Sequence, residues 1–140
     1  MAKKLWEKST QINAEIERFT IGKDREMDMH LAKYDVLGSI AHIIMLESIG
    51  LLSKKELDLL CKALKEIYID IEKNNFSINK DVEDIHSQVE LLLTEKLGDI
   101  GKKIHSGRSR NDQVLLDLKL FTRAKIEEII LEMEGLFQTL

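Results

Sequence analysis

The sequence predicts an all-α fold, and three features support that prediction. The 140 residues contain no proline and only seven glycines, so long helices can run without interruption. Apolar residues recur in steps of three and four along most of the chain, which is the spacing of a helical face. Aromatic residues make up only 5%, which is low for a β-sandwich or a β-barrel.

The first half of the chain predicts several helices. Residues 6–19 are predicted to be weakly helical. Residues 24–49 form one helix, or two if Gly38 marks a bend rather than a close helix crossing. Ser53 and Glu56 form a predicted capping box, and the helix that follows ends at residues 73–75. The apolar positions of these two stretches are Met27, Leu31, Tyr34, Leu37, Ala41, Ile44, Met45 and Ile49, then Leu57, Leu60, Leu64, Ile67 and Ile71. Met27, Met29 and Met45 are interpreted as core residues.

The second half predicts two more helices around a polar loop. Residues 76–80 alternate apolar and polar side chains, which allows a short strand. A helix follows over residues 82–97, Gly98 ends it, and residues 101–110 form a polar, basic loop. The last helix covers residues 111–140 without a C-cap signal, so we expect the chain to stop inside an element. Its two apolar rows favour packing on several sides, as in a helical bundle; they are Leu115, Leu118, Ile126, Ile129, Met133, Leu136 and Leu140, and Val114, Phe121, Ile130 and Phe137.

Charge and cysteine content disfavour several functional classes. The net charge is −4, and basic residues are scattered except over residues 102–110, so nucleic-acid binding is not expected. Cys61 is the single cysteine and cannot support a disulfide framework, which favours a reducing compartment. No apolar run approaches the ~18 residues that a membrane-spanning helix needs. We therefore expect a cytoplasmic protein with no membrane contact.

The most distinctive candidate site is the basic loop where it runs into the last helix. Free backbone N–H groups and the helix dipole attract anions at such a start. Arg108 and Arg110 add forked donors suited to carboxylates, and Ser106, Ser109 and Asn111 add neutral hydrogen-bonding groups. The pattern predicts a dicarboxylate- or phosphate-binding corner. An N-capped helix start beside a solvated loop explains the same residues, and composition alone favours that simpler interpretation.

A second candidate site lies at residues 83–90. At helical spacing, Glu83, His86 and Glu90 share a face, where they could orient an imidazole, bind a metal or hold a guanidinium. A metal is disfavoured because the pattern lacks a two-histidine spacing. A solvated first helical turn is the simpler alternative. His42 has apolar neighbours and suits a buried or interface position better than a catalytic one.

Four motifs together resemble the argininosuccinate lyases of the fumarase/aspartase superfamily, over nearly the whole chain. They are Asp35-Val36-Leu37-Gly38-Ser39-Ile40-Ala41-His42 with Met45-Leu46, Gly50-Leu51-Leu52-Ser53, Glu83-Asp84-Ile85-His86, and Gly107-Arg108-Ser109-Arg110-Asn111-Asp112-Gln113. The last is the most specific, because related lyases differ around its Asn-Asp core. The resemblance implies a helical N-terminal domain over residues 1–110 and the first, truncated helix of a central bundle over residues 111–140.

The resemblance also implies a function and a set of site residues. The enzymes of this family cleave argininosuccinate into arginine and fumarate by β-elimination, in arginine biosynthesis. Ser109, Arg110 and Asn111 would contact the substrate carboxylates. Asp84 and His86 would lie near the same cleft, while Arg108 and Asp112 would hold the loop in shape. No metal or organic cofactor is implied. The assembly would be a homotetramer whose active sites combine several subunits.

Two departures from the family limit this expectation. Leu5-Trp6 is followed by Glu7 instead of a glycine, and the serine of a Phe-Asn-x-Ser segment is missing, so one of Lys23, Asp24 or Arg25 replaces it or the contact is lost.

The family's acid–base segments lie beyond residue 140. The chain is therefore expected to be an N-terminal fragment, without catalytic residues of its own, that self-associates through residues 111–140. The alternatives are another fumarate-releasing lyase, which the 107–113 motif disfavours, and a non-catalytic helical interaction or structural protein.

Overall fold

The computed structural model describes Ile16, Phe19 and residues 22–140, and every regular element in this part of the chain is helical. The helices are α1 (Asp24–Asp28), α2 (Ala32–Ser48), α3 (Lys54–Glu72), α4 (Ile85–Leu97), α5 (Asp99–Lys102) and α6 (Arg110–Thr139), with a 3-10 turn at Lys103–His105. The all-α prediction is confirmed. The helix expected over residues 6–19 lies almost entirely outside the described residues. Across those residues, no helix combines the length and apolar character needed to cross a membrane.

The core forms where α2, α3 and α4 pack together, with the 3-10 turn closing one side. Its largest fully buried apolar side chains are Ile43, Leu46, Leu60, Leu64, Ile85, Leu93 and Ile104. The Ser53–Glu56 capping box starts α3 as predicted, with Glu56 Oε2 accepting from Ser53 N at 2.8 Å. Lys103 Nζ lies 2.6 Å from the other oxygen of Glu56 and so ties the 3-10 turn to α3. Asn74 adopts a left-handed φ of 57° just past the end of α3.

The predicted helix over residues 24–49 is broken at residues 29–31 and continues through Gly38. Gly38 lies where α6 crosses α2, since an added Cβ would approach Leu116 Cδ2 to 2.8 Å. Of the two roles considered for Gly38, the close crossing is correct. The core interpretation of the methionines is wrong for Met27 and Met45, which are exposed. Met45 lies on a side of α2 that the neighbouring helices leave uncovered, and Met27 belongs to the short helix α1, none of whose residues is buried.

Three other segments differ from the sequence prediction. No strand forms over residues 76–80, because no extended segment in the described part of the chain lies beside them to pair with. Instead Phe76 and Ile78 pack against the core, and Gln88 Oε1 accepts from Asn79 N at 2.8 Å. Helix α4 begins at Ile85 rather than at residue 82, because Asp84 caps it. Residues 101–110 are not one loop, since α5 and the 3-10 turn leave only residues 106–109 without helical structure.

Helix α6 is in contact with the rest of the described chain only through its first part. Near its start it packs on α2, where Phe121 meets Tyr34 edge to face at 6.0 Å between ring centroids. From Lys125 onward every side chain is exposed. Most members of the two predicted apolar rows are therefore uncovered. The division into residues 1–110 and 111–140 stays a prediction, although α6 does begin next to that boundary.

Candidate functional site

Arg110 connects the starts of two helices and so defines the candidate site. Its Nε lies 2.9 Å from Asp84 Oδ2, the carboxylate that also caps α4. Its Nη2 donates to Ser87 Oγ at 2.9 Å, and its Nη1 lies 3.4 Å from Glu83 Oε2. The Arg110 side chain remains 38% exposed, so its guanidinium is accessible from solvent. The contacts bring the N-termini of α4 and α6 to one corner of the molecule.

Ser109 and Asp112 start α6 with a reciprocal capping box. Ser109 Oγ accepts from Asp112 N at 3.3 Å, and Asp112 Oδ2 accepts from Ser109 N at 2.7 Å. The hydrogen bond that the Ser109 backbone donates to this carboxylate is the largest cause of the lowered pKa of Asp112. The Ser109 hydroxyl also donates to the same carboxylate at 2.9 Å. Asn111, between them, is exposed. The helix start is therefore capped, and its exposed face has the donors of an anion-binding corner.

The loop over residues 106–109 is held against α2 from two sides. Arg108 Nη2 donates to Ser39 Oγ at 3.0 Å, and the ring nitrogen His42 Nε2 lies 2.8 Å from the carbonyl oxygen of Ser106. Gly107 has a φ of 73°, which a residue with a side chain rarely adopts. His42 is thus a hydrogen-bonded, half-buried residue, in agreement with the non-catalytic interpretation of its sequence context.

Behind this corner, four polar side chains from three helices form a buried cluster, named here the polar cluster: Asp35, His86, Gln113 and Asp117. None is more than 6% exposed. His86 Nδ1 lies 2.7 Å from Asp35 Oδ1 and 3.8 Å from Asp117 Oδ2. Gln113 Nε2 donates to Asp35 Oδ1 at 3.4 Å. A carboxylate on α2 is therefore bonded to both α4 and α6.

Burial and mutual contacts shift the pKa values of residues in the polar cluster. Burial, reinforced by the negative charge of Asp35, raises the pKa of Asp117 to about 7. Burial by itself would lower the pKa of His86, but the hydrogen bond that its Nδ1–H donates to Asp35 and the charges of the nearby carboxylates outweigh it, so that the pKa is raised. Arg108, packed beside the cluster, has its pKa lowered by burial but stays far above neutrality. An imidazole with a raised pKa and a guanidinium thus face two carboxyl groups.

Within the described residues, Asp35, His86 and Asp117 each offer a possible metal ligand atom, and these three atoms lie within 4.8 Å of one another. The short contact between His86 Nδ1 and Asp35 fits a hydrogen bond, in which that nitrogen keeps its proton and cannot ligate. The charge of Arg108 beside the cluster also opposes a bound cation. The contacts favour an ionic hydrogen-bond network, and the absence of a metal cofactor stays a prediction.

The structure places the sequence-predicted residues in two groups. Ser109, Arg110, Asn111 and Asp84 lie at the exposed corner, whereas His86 lies behind it in the polar cluster, and Arg108 and Asp112 stabilise the loop and the helix start. The shared face proposed for Glu83, His86 and Glu90 is wrong, because α4 begins only at Ile85. Glu83 precedes the helix and pairs with Arg110, while Glu90 lies 3.8 Å from His105.

Sequence reasoning missed the roles of three residues. Asp35 and Gln113 were noted only as parts of motifs, and Asp117 was not considered. A signal was available on α6, because Arg110, Gln113 and Asp117 recur in steps of three and four between the apolar rows. Asp28 is a further candidate residue of the site. Its Oδ2 accepts a hydrogen bond from Ile85 N at 3.1 Å at the start of α4, and burial raises its pKa.

Comparisons with known proteins identify the family of the chain. The family model described as lyase matches residues 2–140. An argininosuccinate lyase of Bacteroides thetaiotaomicron is 68% identical over the whole chain, which covers 31% of that protein's length. Those of Thermotoga neapolitana and Azotobacter vinelandii are 42% and 44% identical over 96% and 94% of the chain, which cover 34% and 28% of their lengths. The chain thus spans about a third of the length of the relatives it matches.

Proposed function

The chain belongs to the lyase family, and we propose that it is the substrate-binding N-terminal portion of an argininosuccinate lyase, active in arginine biosynthesis in the cytoplasm. The observation that supports this most directly is the junction of Arg110 with Asp84, which brings the starts of α4 and α6 together. Argininosuccinate has several carboxylates and one guanidinium. This corner offers a helix start with Arg110 for the former and the carboxylates of Asp84 and Glu83 for the latter.

In the proposed binding step, the Arg110 guanidinium exchanges a carboxylate of the protein for a carboxylate of the substrate. In the structure its guanidinium faces Asp84 and Glu83, and a substrate carboxylate would compete for the same donors. Asn111 would add amide hydrogen bonds from its exposed position. Because Ser109 donates both its hydroxyl and its backbone N–H to Asp112, its proposed contact with a substrate carboxylate would require one of these donors to leave Asp112.

The elimination itself needs groups that the described site lacks. A base must remove a proton from the carbon beside a carboxylate, the C–N bond to the guanidinium nitrogen must break, and an acid must return a proton to that nitrogen. By family resemblance, these groups belong to the remaining two thirds of the enzyme. In this proposal the chain orients the substrate and anchors its carboxylates, and no residue of it transfers a proton.

The proposal is tested by Arg110→Ala and Asn111→Ala in the full-length enzyme, meaning this chain continued by the remaining two thirds of the family sequence. Each variant loses a hydrogen bond to a charged substrate group, worth roughly 1.5–3 kcal/mol, so kcat/KM for fumarate release should fall by about one to two decades. Arg123→Ala is the matched control, because Arg123 lies on the same helix, 77% exposed, and contacts only Glu127 among the ion pairs of the described chain. Normal kinetics in both site variants would contradict the proposal.

For assembly, we propose a homotetramer of the full-length enzyme in which α6 packs against helices of neighbouring subunits. The large apolar side chains of α6 beyond Lys125 are all about half exposed or more, including Ile126, Ile129 and Met133. Burying the exposed half of each is worth roughly 1 kcal/mol, and the sum over the helix favours a helical partner. For the chain alone, the simplest arrangement is a two-fold dimer in which α6 pairs with its copy.

A further inference from the structure

The polar cluster lies directly behind the candidate substrate corner, on the same helices. His86 is two residues after Asp84, and Asp117 is seven residues, or about two helical turns, after Arg110. Gln113 lies between Arg110 and Asp117 on the same side of α6. Each helix that contributes to the corner therefore also contributes a buried polar side chain to the cluster, and Asp35 of α2 joins them.

The cluster is poorly suited to stabilising the fold for its own sake. Burying ionisable groups costs free energy, and well-packed apolar residues of similar size are often neutral or stabilising in their place. Several buried atoms of this group have no hydrogen-bond partner in the described structure, namely Asp35 Oδ2, Asp117 Oδ2, Gln113 Oε1 and Arg108 Nε. An apolar contact between α2, α4 and α6 would avoid those costs. What the charged groups add is a directional and charge-dependent link.

We propose that Asp35, His86 and Asp117 are positioning residues that fix the start of α6 relative to the start of α4, so that Arg110 and Asn111 meet the substrate in one geometry. This proposal rests on the function proposed above. Asp35 holds α4 through His86 and α6 through Gln113, while Asp117 faces His86 and is close enough to Arg108 for their charges to interact. Gly38 permits the close approach of α2 and α6 that these contacts need.

The positioning effect should depend on the charge of Asp117. The ionisable groups around it are Asp28 of α1, Asp35 of α2, His86 of α4 and Arg108 of the loop. When Asp117 is ionised it attracts Arg108 and repels Asp35, so its charge influences how the loop and α2 lie against α6. When it is protonated, that attraction is lost while the side chain keeps its shape. Because Asp117 has a pKa of about 7, both states occur near neutral pH.

The test is Asp117→Asn in the full-length enzyme, with KM for argininosuccinate measured from pH 6 to pH 8. Asparagine keeps the shape but not the charge, so KM should exceed that of the wild type by roughly tenfold at pH 8 and match it at pH 6. The melting temperature should be unchanged or higher, which a merely structural role would not give. Asp58→Asn is the control, because Asp58 is an exposed residue of α3 paired with Lys54, and its KM ratio should stay at one.

A second readout separates this proposal from the function on which it rests. In the 140-residue chain itself, backbone hydrogen exchange of Asp112 and Gln113, whose amides bond to Ser109, should be faster in Asp117→Asn than in wild type at pH 8. These amides lie in the first turn of α6 and exchange by local opening, which the lost attraction to Arg108 favours, rather than by the global unfolding that removal of a buried charge disfavours. Exchange within α3 should not change. If the wild-type enzyme released no fumarate, the proposed function would fail, yet faster exchange at α6 would still support positioning.

Three results would overturn the positioning proposal. They are a ratio of variant KM to wild-type KM that equals one at every pH, any other ratio that does not vary with pH, and unaltered hydrogen exchange at the start of α6. Asp117→Leu provides a second variant in case asparagine disrupts folding, since an apolar side chain of similar size needs no hydrogen bonds. Misfolding of both variants would also overturn the proposal, because the cluster would then be a requirement of the fold.

Discussion

Alanine at Gly101 should destabilise the chain, whereas alanine at Gly135 should stabilise it. A Cβ on Gly101 would lie 2.4 Å from both the carbonyl carbon and the oxygen of Leu93, and 2.6 Å from the nitrogen of Thr94. All three are backbone atoms, so the clash can be relieved only by moving α5 away from α4. At Gly135, inside α6, the same added atom has nothing within 4 Å.

The magnitude follows from two opposing effects. Alanine is favoured over glycine in a helix by roughly 0.5–1 kcal/mol, and this gain applies at both positions. Overpacking typically costs about 1–3 kcal/mol, and contact with rigid backbone places Gly101 at or above the upper end of that range. Gly101→Ala should therefore lower the free energy of unfolding by about 2 kcal/mol, equivalent to a fall in Tm of roughly 5–10 °C. Gly135→Ala should raise the free energy of unfolding by about 0.5–1 kcal/mol.

The assay is urea unfolding of both variants followed by helical circular dichroism, at one fixed protein concentration because the chain is expected to self-associate. The dependence of the free energy on urea should be the same in all three proteins, so that the midpoints report stability directly. A midpoint for Gly101→Ala equal to or above that of the wild type, together with the expected gain at Gly135, would refute the close backbone contact between α4 and α5.

Three further predictions concern activity, assembly and pH. The 140-residue chain alone should release no fumarate from argininosuccinate, and turnover that follows the protein through purification would contradict this. Lysine at both Ile129 and Met133 should shift the self-associated chain toward monomer in analytical ultracentrifugation at micromolar concentration, because unpaired charges would then be buried; a monomeric wild-type chain would show the dimer proposal to be wrong. The folded state raises the pKa of Asp117 to about 7, so the stability gained from its proton is complete below the unfolded pKa of about 3.9 and is lost as pH rises through 7. Asp117→Asn should therefore be more stable than wild type by about 1–2 kcal/mol at pH 8, after allowance for solvent screening, and this advantage should shrink toward pH 4. An advantage that does not vary with pH in urea unfolding would contradict the sign of that shift.

Sequence periodicity predicted the helices better than their boundaries. The capping box at Ser53 and the buried face of α3 were found because both are local patterns on one uninterrupted helix. The break at residues 29–31 was missed because no glycine or proline marks it, and the pattern of apolar residues continues across it. The short helix α5 was interpreted as loop because Gly101 was treated as a breaker. Its real role, the approach to the α4 backbone, depends on a tertiary contact that no local pattern reports.

The residues of the candidate site likewise fall into those that local sequence patterns predicted and those that they could not predict. Ser109, Arg110, Asn111 and Asp112 could be found from sequence because a polar, charged run before an apolar helix is a local signal. The partners of His86 could not, because Asp35 lies 51 residues before it and Asp117 lies on a third helix. A single carboxylate among apolar residues of α2 has no sequence feature that distinguishes a buried charge from a solvated one. Only the packing of α2, α4 and α6 removes it from water.

The orientation of α6 joins the site to the assembly. The two apolar rows of α6 predicted packing on several sides and self-association, and the two residues of α6 that its own chain buries are the polar Gln113 and Asp117. The apolar residues Leu115, Leu118 and Ile126 are exposed instead. The contact between α6 and its own domain therefore combines the buried polar residues near the site with apolar contacts of Leu116 and Phe121, while most of the apolar surface stays exposed. A change in the angle of α6 relative to α4 would move Arg110 away from Asp84. The polar cluster is therefore the place where the proposed subunit contacts and the substrate corner can affect each other.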